Sequence, residues 1–411
     1  MVEQLEQGRA LILPRLEELM TRFGDELTGV NPWGADVCRR VLDYSSRGKL
    51  IRGSLVIAAA EVFGADLDPA PAGRRGSSGA DAAVAAQPPP AVVDAACAME
   101  LLQSFLLIHD DIMDDDDTRR GAPSVHAQYR DHAGEWGVRP VGTAGAAGAT
   151  GDAASRQQRE AEGHAMFGRS MGICAGDVTL LLAQRILAAL DVDAEVYRRL
   201  NSLVAREIAY VGVAQMNDLY FGYLPGGAAG GAATEDAVYN LYRYKTGRYT
   251  FSLPLAMGAI FAGLPAGGID RLMTYGEEVG VVFQIVDDDI GLFGETAATG
   301  KPVGSDISAD KKTLHRRYLL EALAAEDDSL RERIAGYFGD SALERTGVEE
   351  VRELFLSLGV RDRIDAILDD HAGRARSVAA EIVETFVAGD ARRRARQFLD
   401  GIVDYNVARR V

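Results

Sequence analysis

The stretch Met99-Glu100-Leu101-Leu102-Gln103-Ser104-Phe105-Leu106-Leu107-Ile108 leads directly into His109-Asp110-Asp111-Ile112-Met113-Asp114-Asp115-Asp116-Asp117-Thr118-Arg119-Arg120-Gly121. Its apolar first half contains no glycine or proline, which predicts a buried helix with the acids at its end. Residues four apart share one face of a helix, so Asp110 and Asp114 should point the same way, with Asp111 on a flank.

Dense acids followed by two arginines indicate a site for cations and a polyanion. Carboxylates at this density repel one another, and multivalent cations hold them together most simply. Mg²⁺ takes only one or two protein carboxylates and leaves positions for phosphate oxygens. Arginines beside such cations suggest a diphosphate. The alternative, a solvated acidic helix end, is disfavoured by the apolar run before the acids and by the arginines after them.

A second acidic cluster repeats this arrangement later in the chain. Phe283-Gln284-Ile285-Val286-Asp287-Asp288-Asp289-Ile290-Gly291 again ends an apolar helical stretch with adjacent aspartates. Basic residues follow in Gly300-Lys301 and Lys311-Lys312-Thr313, with Asp306 between them. Two such clusters predict facing helices around one metal site.

With both clusters present, the chain resembles the trans-isoprenyl diphosphate synthase (polyprenyl synthetase) family, in particular geranylgeranyl and farnesyl diphosphate synthases. Nearly the whole chain takes part in the resemblance. The matching motifs, in chain order, are Gly48-Lys49-Leu50-Ile51-Arg52, Asp110-Asp111-x-x-Asp114, Arg119-Arg120-Gly121, Gln215-x-x-Asp218, Lys245-Thr246, and Phe283-Gln284 through Lys301 and Lys311.

The resemblance implies a Mg²⁺-dependent prenyltransferase that joins isopentenyl diphosphate to an allylic diphosphate. It implies about three Mg²⁺ ions, with Mn²⁺ as a possible substitute. The implied metal ligands are Asp110, Asp111, Asp114, Asp287 and Asp288. The implied catalytic residues are Asp110, Asp111, Asp114, Lys245 and Asp287. The implied substrate-binding residues are Lys49, Arg52, Gln103, Arg119, Arg120, Lys245, Thr246, Gln284, Lys301 and Lys311.

Two positions depart from the family pattern. Gly291 stands where the second motif commonly carries its third aspartate, so metal ligation there should depend mainly on Asp287, with Asp288, Asp289 or Asp306 in support. Gln103 stands where the family often has a histidine that contacts isopentenyl diphosphate. A glutamine can donate a hydrogen bond to phosphate but carries no charge.

Product length should depend on the residues one to two turns before Asp110. In the resembled family, bulky side chains four and five positions before the first aspartate form a floor under the growing chain. Those positions are Leu106 and Phe105 here, which favours the C20 product geranylgeranyl diphosphate, with C15 farnesyl diphosphate next. The alternative interpretation of Phe105 is an ordinary core residue.

Length and composition fit one all-α domain over residues 1–411, in the resembled family a helical bundle around a deep central cavity that usually forms a homodimer. Ala/Gly/Pro-rich segments at about 65–91 and 137–159, and a shorter one at 225–233, should be flexible insertions. The chain has 44 basic and 61 acidic residues, a net charge of −17, which argues against nucleic acid as a partner. We expect no membrane span, although the lipid-like product would allow transient membrane contact. Three scattered cysteines and an acidic N-terminus favour a cytoplasmic location.

Two other functions share part of this pattern. A class I terpene cyclase has the first aspartate motif but needs only one diphosphate substrate, so it would leave Lys49, Arg52 and Arg120 without a role. A non-catalytic regulatory subunit of a heteromeric prenyl synthase is favoured only by Gly291. The basic C-terminal Arg409-Arg410 is either a surface feature or a lid over isopentenyl diphosphate.

Overall fold

Helices make up nearly all of the chain in this computed structural model, which describes residues 1–64, 88–139, 153–224, 233–294, 304–389 and 391–409. The β-structure within those ranges is one two-residue antiparallel hairpin. The described chain groups into two compact units. One contains Val2–Ile57 and Pro88–Val192; the other is built mainly from Asp193–Val411 and also takes the end of the third helix from Ala58 onward. The all-α prediction is confirmed, and the single domain over 1–411 stays a prediction.

The first unit contains the hairpin and six helices in its described ranges, and the third of these helices belongs to it only as far as Ile57. They are α1 (Val2–Thr28), α2 (Trp33–Ser46), α3 (Ile51–Gly64), α4 (Pro90–Met113), β1 (Thr118–Arg119), β2 (Ala122–Pro123), α5 (Val125–His132) and α6 (Ala153–Ala188).

Helix α4 forms the core of the first unit. Residues 95–104 are all buried, and a helix that is apolar on every side needs partners on every side. It packs against α1, α2 and α6. Pro90 is the first residue of the helix. An N–H at this position would have no acceptor within the helix, so a proline costs no hydrogen bond there.

The second unit contains the remaining elements. They are α7 (Ala194–Tyr223), α8 (Glu235–Leu241), the π-helix π1 (Tyr242–Ser252), α9 (Leu253–Phe261), α10 (Ala266–Phe293), α11 (Ser305–Ser308), α12 (Leu314–Ala322), a 3₁₀ turn (Leu323–Ala325), α13 (Asp328–Tyr337), α14 (Arg345–Ser357), α15 (Val360–Phe386) and α16 (Ala391–Val407).

Glycines on α10 bring π1 unusually close to it. A Cβ added at Gly280 would lie 2.2 Å from the Gly247 Cα, and one added at Gly276 would lie 2.4 Å from the Ser252 backbone nitrogen. Real Cβ contacts are never this short, so the two backbones can meet only because these positions lack side chains. Helix α10 also packs against α15 and α16, which makes it the core of the second unit.

The predicted insertions fall largely outside the described residues. Where they are described, helix begins earlier than the sequence predicted, at Pro90 in α4 and at Ala153 in α6. The start of α6 is rich in Gln, Arg and Glu, which have high helix propensity, and this explains why α6 extends into the range predicted as an insertion.

Among the residues that the structure describes, two helices are long and apolar enough, by length and composition alone, to be candidate membrane spans. They are α4 and residues Ala154–Ala188 of α6. Of the apolar window in α4, 67% is buried inside the protein, and core helices of soluble proteins pass the same test. The expected absence of a span stays a prediction.

Candidate active site

The first acidic run forms the C-terminal end of α4. Asp115 adopts a left-handed conformation with φ of 56°, and the Asp116 N–H donates to the Asp111 carbonyl at 2.8 Å. This pattern is a Schellman motif, which ends a helix. Asp110 and Asp114 therefore lie at the helix end that carries partial negative charge, where carboxylates are unfavourable unless cations accompany them.

Asp111 is the buried member of the run. Its carboxylate accepts a hydrogen bond from the Tyr44 hydroxyl at 2.7 Å and another from the Arg119 Nε at 2.6 Å. Burial raises the pKa of Asp111, while Arg119 and Tyr44 oppose that shift. Asp110 is half-buried and Asp114 is exposed. The outward carboxylates of the motif are therefore Asp110 and Asp114, and Arg119 is ion-paired with Asp111.

The hairpin after the acidic run positions the second arginine. Arg120 and Gly121 connect β1 to β2 with φ angles of 54° and 72°, as a type I′ turn requires. The Arg120 guanidinium extends over Gly48, where an added Cβ would lie 2.4 Å from its Nη1. Gly48 thus leaves room for Arg120 beside the Gly48–Arg52 motif, and the motif and the arginine lie in one cluster.

A buried carboxylate lies at the centre of this basic cluster. Glu100 accepts a hydrogen bond from the Gly53 N–H at 2.6 Å. Burial raises its pKa, against the effect of Gly53, Arg52 and Arg120. Lys49, three residues after the end of α2 at Ser46, is exposed. The structure therefore brings Arg52 and Arg120 together at Glu100, and Lys49 lies in the same Gly48–Arg52 motif as Arg52.

Gln103 and the predicted floor lie further along α4. The Gln103 side chain is buried, and its Oε1 has no hydrogen-bond partner among the described residues. Phe105 and Leu106 are both half-buried. Their placement is compatible with the floor prediction and with the core alternative, so their role stays a prediction.

In the second unit, π1 and α10 build a hydrogen-bonded chain around Asp288. The Thr246 hydroxyl donates to the Gln284 Oε1 at 3.0 Å, and the Gln284 Nε2 donates to Asp288 at 2.9 Å. The Tyr242 hydroxyl donates to the other Asp288 oxygen and accepts from the Leu314 N–H at 3.1 Å. Burial raises the pKa of Asp288 to about 7.

The two flanking acids have different surroundings. Asp289 is buried, accepts from the His315 Nε2 at 2.8 Å and lies 3.4 Å from the Arg361 Nη1. Asp287 has a side chain that is 53% exposed, and the Arg409 Nη2 donates to it at 3.3 Å. Asp287 is thus the accessible carboxylate of this cluster, and its role as the main metal ligand stays a prediction.

Arg409 lies at the second cluster, near the end of the chain. Its guanidinium stacks over the Phe283 ring at 4.4 Å, and its Nη1 has no hydrogen-bond partner among the described residues. Arg410 lies outside those residues. The structure therefore brings one of the two arginines of the lid hypothesis to Asp287.

The Asp306 side chain fills the space beside Gly291. A Cβ added at Gly291 would lie 2.2 Å from Oδ2 and 2.7 Å from Cγ of Asp306. Asp306 is buried, and Lys311 holds its other oxygen at 2.6 Å. A carboxylate therefore lies at the third position of the motif although the sequence there is glycine. Lys301 lies outside the described residues, so its predicted role is not addressed.

Lys245, predicted to bind substrate, forms an ion pair with an aspartate of another matched motif. Its ammonium group donates to Asp218 on α7, the aspartate of the Gln215-x-x-Asp218 motif. Asp218 and Lys245 are both partly exposed. This ion pair keeps the Lys245 charge on π1, next to the Thr246–Gln284–Asp288 chain.

Sequence reasoning missed three residues that fix the acidic side chains, namely Tyr44, Tyr242 and His315. Each is buried and contacts an aspartate at least 26 positions away in the chain. An isolated tyrosine or histidine in an apolar stretch gives no sequence signal for such a contact.

Comparison with known proteins decides the family. A family model described as polyprenyl synthetase matches residues 35–140 and 153–353. The chain belongs to the polyprenyl synthetase family. This confirms the predicted resemblance, and both aspartate clusters, the hairpin arginines and π1 fall within the matched residues.

Among the relatives of this chain are a short chain isoprenyl diphosphate synthase from Methanocaldococcus jannaschii, 28% identical over 46% of this chain and 55% of the relative, and a farnesyl diphosphate synthase from Mycobacterium tuberculosis, 31% identical over 45% of this chain and 48% of the relative. A geranylgeranyl diphosphate synthase from the same organism is 29% identical over 46% and 51%. The chain spans about half the length of these relatives.

Solved structures share the fold over nearly the whole chain. A geranylgeranyl pyrophosphate synthase from Corynebacterium glutamicum, complexed with isoprenyl diphosphate and magnesium, covers 99% of both chains with a TM-score of 0.78 and 22% identity. A geranylgeranyl pyrophosphate synthetase from Pyrococcus horikoshii covers 98% of both with a TM-score of 0.69 and 23% identity. The fold is therefore that of the isoprenyl synthases.

The acidic residues of the two clusters fit a divalent cation. Within the described ranges, no three His, Cys, Asp or Glu side chains converge into a complete protein cage. Mg²⁺ does not need one, because it commonly binds one or two carboxylates and takes its other oxygens from water and phosphate. Asp110, Asp114 and Asp287 supply hard oxygen ligands of this kind.

Proposed function

We propose that this protein is a Mg²⁺-dependent prenyltransferase that condenses isopentenyl diphosphate with an allylic diphosphate. Membership of the polyprenyl synthetase family is the observation that carries the proposal. Its product would be a medium-chain all-trans polyprenyl diphosphate, geranylgeranyl diphosphate (C20) ahead of farnesyl diphosphate (C15).

The basic cluster of the first unit would bind isopentenyl diphosphate. Lys49, Arg52 and Arg120 supply three positive charges, and arginine forks match phosphate oxygens well. Gln103 supports this assignment, because its buried Oε1 has no hydrogen-bond partner among the described residues, and a flip of the amide about its last torsion would place the N–H₂ group there to donate to a phosphate oxygen. A terpene cyclase would have no use for this second diphosphate site.

The acidic residues and the remaining cations would serve the allylic diphosphate. Arg119, Lys245, Lys301 and Lys311 would stabilise the negative charge that develops as the allylic carbon–oxygen bond breaks. Mg²⁺ would bind to Asp110, Asp111 and Asp114 of the first acidic cluster and to Asp287 and Asp288 of the second, and it would neutralise the diphosphate and make it a better leaving group. The Corynebacterium structure, which contains magnesium and isoprenyl diphosphate, supports this choice of ion.

The bond changes need no nucleophile from the protein. The electron pair of the breaking carbon–oxygen bond leaves with the diphosphate, and the isopentenyl double bond attacks the allylic cation. A proton is then lost to the departing diphosphate. Gln284 would hold the Asp288 carboxylate in place during these steps through its hydrogen bond, and Thr246 would hold Gln284.

Five further properties belong to this proposal. Phe105 and Leu106 would form the floor that limits product length, and the enzyme would act as a homodimer in the cytoplasm. Exposed apolar side chains along α7, including Val213, Met216 and Tyr220, support a contact between copies. Nucleic acid is not expected as a partner, and membrane contact would be transient.

The direct test is an assay of the purified full chain with Mg²⁺, labelled isopentenyl diphosphate and one allylic primer at a time. Dimethylallyl, geranyl and farnesyl diphosphates serve as primers, and products are sized after removal of the diphosphate. We expect linear C20 chains, and at least a hundredfold lower rate for Asp287→Asn, about the loss seen when one charge-stabilising group is removed. Removal of Mg²⁺ with EDTA should abolish turnover.

Other outcomes would identify the competing functions. A cyclic hydrocarbon formed from the allylic diphosphate alone would indicate a terpene cyclase. No product from the chain alone, but product after a second prenyl synthase subunit is added, would indicate a regulatory subunit. Gly291 favoured that subunit, and the Asp306 carboxylate at the same place weakens the case.

A further inference from the structure

Three glycines follow one face of α6 at intervals of four residues, Gly168, Gly172 and Gly176. A Cβ added at Gly176 would lie 2.3 Å from Nε2 and 2.4 Å from Cδ2 of His109 on α4. At Gly168 the added atom would instead meet the His126 carbonyl and the Arg130 side chain of α5. The His109 imidazole therefore occupies the space that any side chain at 176 would need.

The His109 ring is fixed on α6 by polar contacts as well as by this fit. Its Nε2 lies 3.2 Å from the Ile173 carbonyl oxygen and 3.7 Å from the Asp177 carboxylate. A carbonyl only accepts hydrogen bonds, so Nε2 carries a proton and donates. Because His109 is only half-buried, these contacts and the glycine gap hold the ring where core packing alone would not.

The other side of the His109 ring contacts Phe105. The two ring centroids are 5.1 Å apart with an angle of 72° between the planes, an edge-to-face pair. His109 follows Phe105 by four residues, and helical side chains lean toward the N-terminus, so His109 lies directly over the Phe105 ring. The position of Phe105 thus depends on a chain of contacts from Gly176 through His109.

We propose that His109 is the positioning residue that sets the product length of this enzyme, by holding Phe105 in place from α6. The inference rests on the proposed prenyltransferase function and on Phe105 as its floor. Gly176 takes part by leaving room for the imidazole. Without His109, the Phe105 ring loses its neighbour on the α6 side and can turn away from the growing chain.

The test compares product lengths for His109→Ala and Gly176→Ala, two substitutions on different helices. In both variants, the ratio of chains longer than the wild-type product to chains of wild-type length should rise by about fivefold. This is the population change that corresponds to the loss of one edge-to-face ring pair. His109→Gln, which can still donate to the Ile173 carbonyl but has no ring, should give the same shift. Product length is measured separately from rate, because a merely structural defect would lower the rate without lengthening the product.

The double variant gives the sharpest result. Alanine at 109 no longer collides with a methyl group at 176, so His109→Ala/Gly176→Ala should lengthen products no further than His109→Ala alone. Two glycine controls accompany it. Gly212 on α7 has open space around it, so Gly212→Ala should leave product length unchanged. Gly168→Ala should disturb α5 and also leave product length unchanged.

Specific results would overturn the inference. If Phe105→Ala lengthens products while both His109 variants keep the wild-type distribution, Phe105 is a floor that His109 does not hold. If Phe105→Ala leaves the length unchanged, the floor itself is wrong. A wild-type protein without prenyl product would overturn the proposed function and this inference together. Should Gly176→Ala fail to fold, as judged by its thermal transition, His109→Ala and His109→Gln still decide the question.

Discussion

At the scale of single residues, Gly291 and Asp306 show how one position can be filled from another part of the chain. The second aspartate motif lacks its third acid in the sequence. The Asp306 carboxylate nevertheless occupies the space that the Cβ atom of a side chain at position 291 would need. Asp306 cannot move aside freely, because Lys311 holds its other oxygen at 2.6 Å. Residues 291 and 306 are thus mutually dependent.

We expect Gly291→Ala to destabilise the protein by about 1–3 kcal/mol, the usual cost of forcing extra atoms into a filled site. The free energy of unfolding in urea measures this. Asp306→Ala in the same background should recover part of the loss, because it removes the atoms that the new methyl group meets. Gly373→Ala on α15 is the control, since that glycine is exposed with open space around it and alanine there should be neutral or stabilising. Equal free energies of unfolding for Gly291→Ala and Gly373→Ala would show that the Asp306 side chain moves aside at little cost.

At the scale of elements, α4 combines a wholly buried middle with an acidic end. The sequence predicted both features, because the apolar run and the aspartates are local patterns. The sequence could not predict that Tyr44 and Arg119 would donate hydrogen bonds to Asp111, since those contacts depend on how α2 and the hairpin fold against α4. The same limit applies to π1. Its geometry depends on Gly276 and Gly280 of α10, outside the segment itself.

Glu100 makes the stability of α4 depend on pH. Burial raises its pKa in the folded protein above the ordinary value of 4.5. Between those two pKa values the folded state holds the proton more tightly than the unfolded chain, so stability falls as pH rises through this window. Glu100→Gln keeps the size of the side chain and an acceptor for Gly53 but cannot ionise. We expect this variant to gain stability relative to wild type as pH increases above about 4.5.

Urea unfolding at several pH values from 4.5 to 8 checks this prediction. Glu17→Gln, at an exposed position of α1, is the matched control and should follow the wild-type curve. Parallel curves for wild type and Glu100→Gln would mean that Glu100 stays ionised, with Arg52 and Arg120 compensating for its burial.

At the scale of the whole molecule, the sequence predicted the all-α class and the family, because the motifs are spread in order along the chain. Assembly is a different matter, since it depends on surfaces. Helix α7 exposes Met216 at 70% and Tyr223 at 89%, together with Val213 and Tyr220 at intervals of three to four residues. An apolar stripe of this kind on one helix face is typical of a surface that another chain covers.

We expect the wild-type protein to sediment as a dimer at micromolar concentration and Val213→Glu/Met216→Glu to sediment as a monomer. Burying two carboxylates against an apolar face without partners would cost more than the contact gains. Leu356→Glu serves as control, because Leu356 is similarly exposed, at 63%, but lies on α14. A wild-type monomer, or a double variant that remains dimeric, would contradict a dimer formed through α7.

The close approach of π1 to α10 also has a kinetic consequence. Long π-helices are rare because their local energetics are poor, so residues 242–252 gain little from this geometry until α10 is in place. We therefore expect π1 to form late in folding. Phe251→Leu, which removes a buried ring packed 5.5 Å from Phe283, should then accelerate unfolding and leave the refolding rate near that of wild type in stopped-flow experiments. Slower refolding would instead place π1 in the folding nucleus.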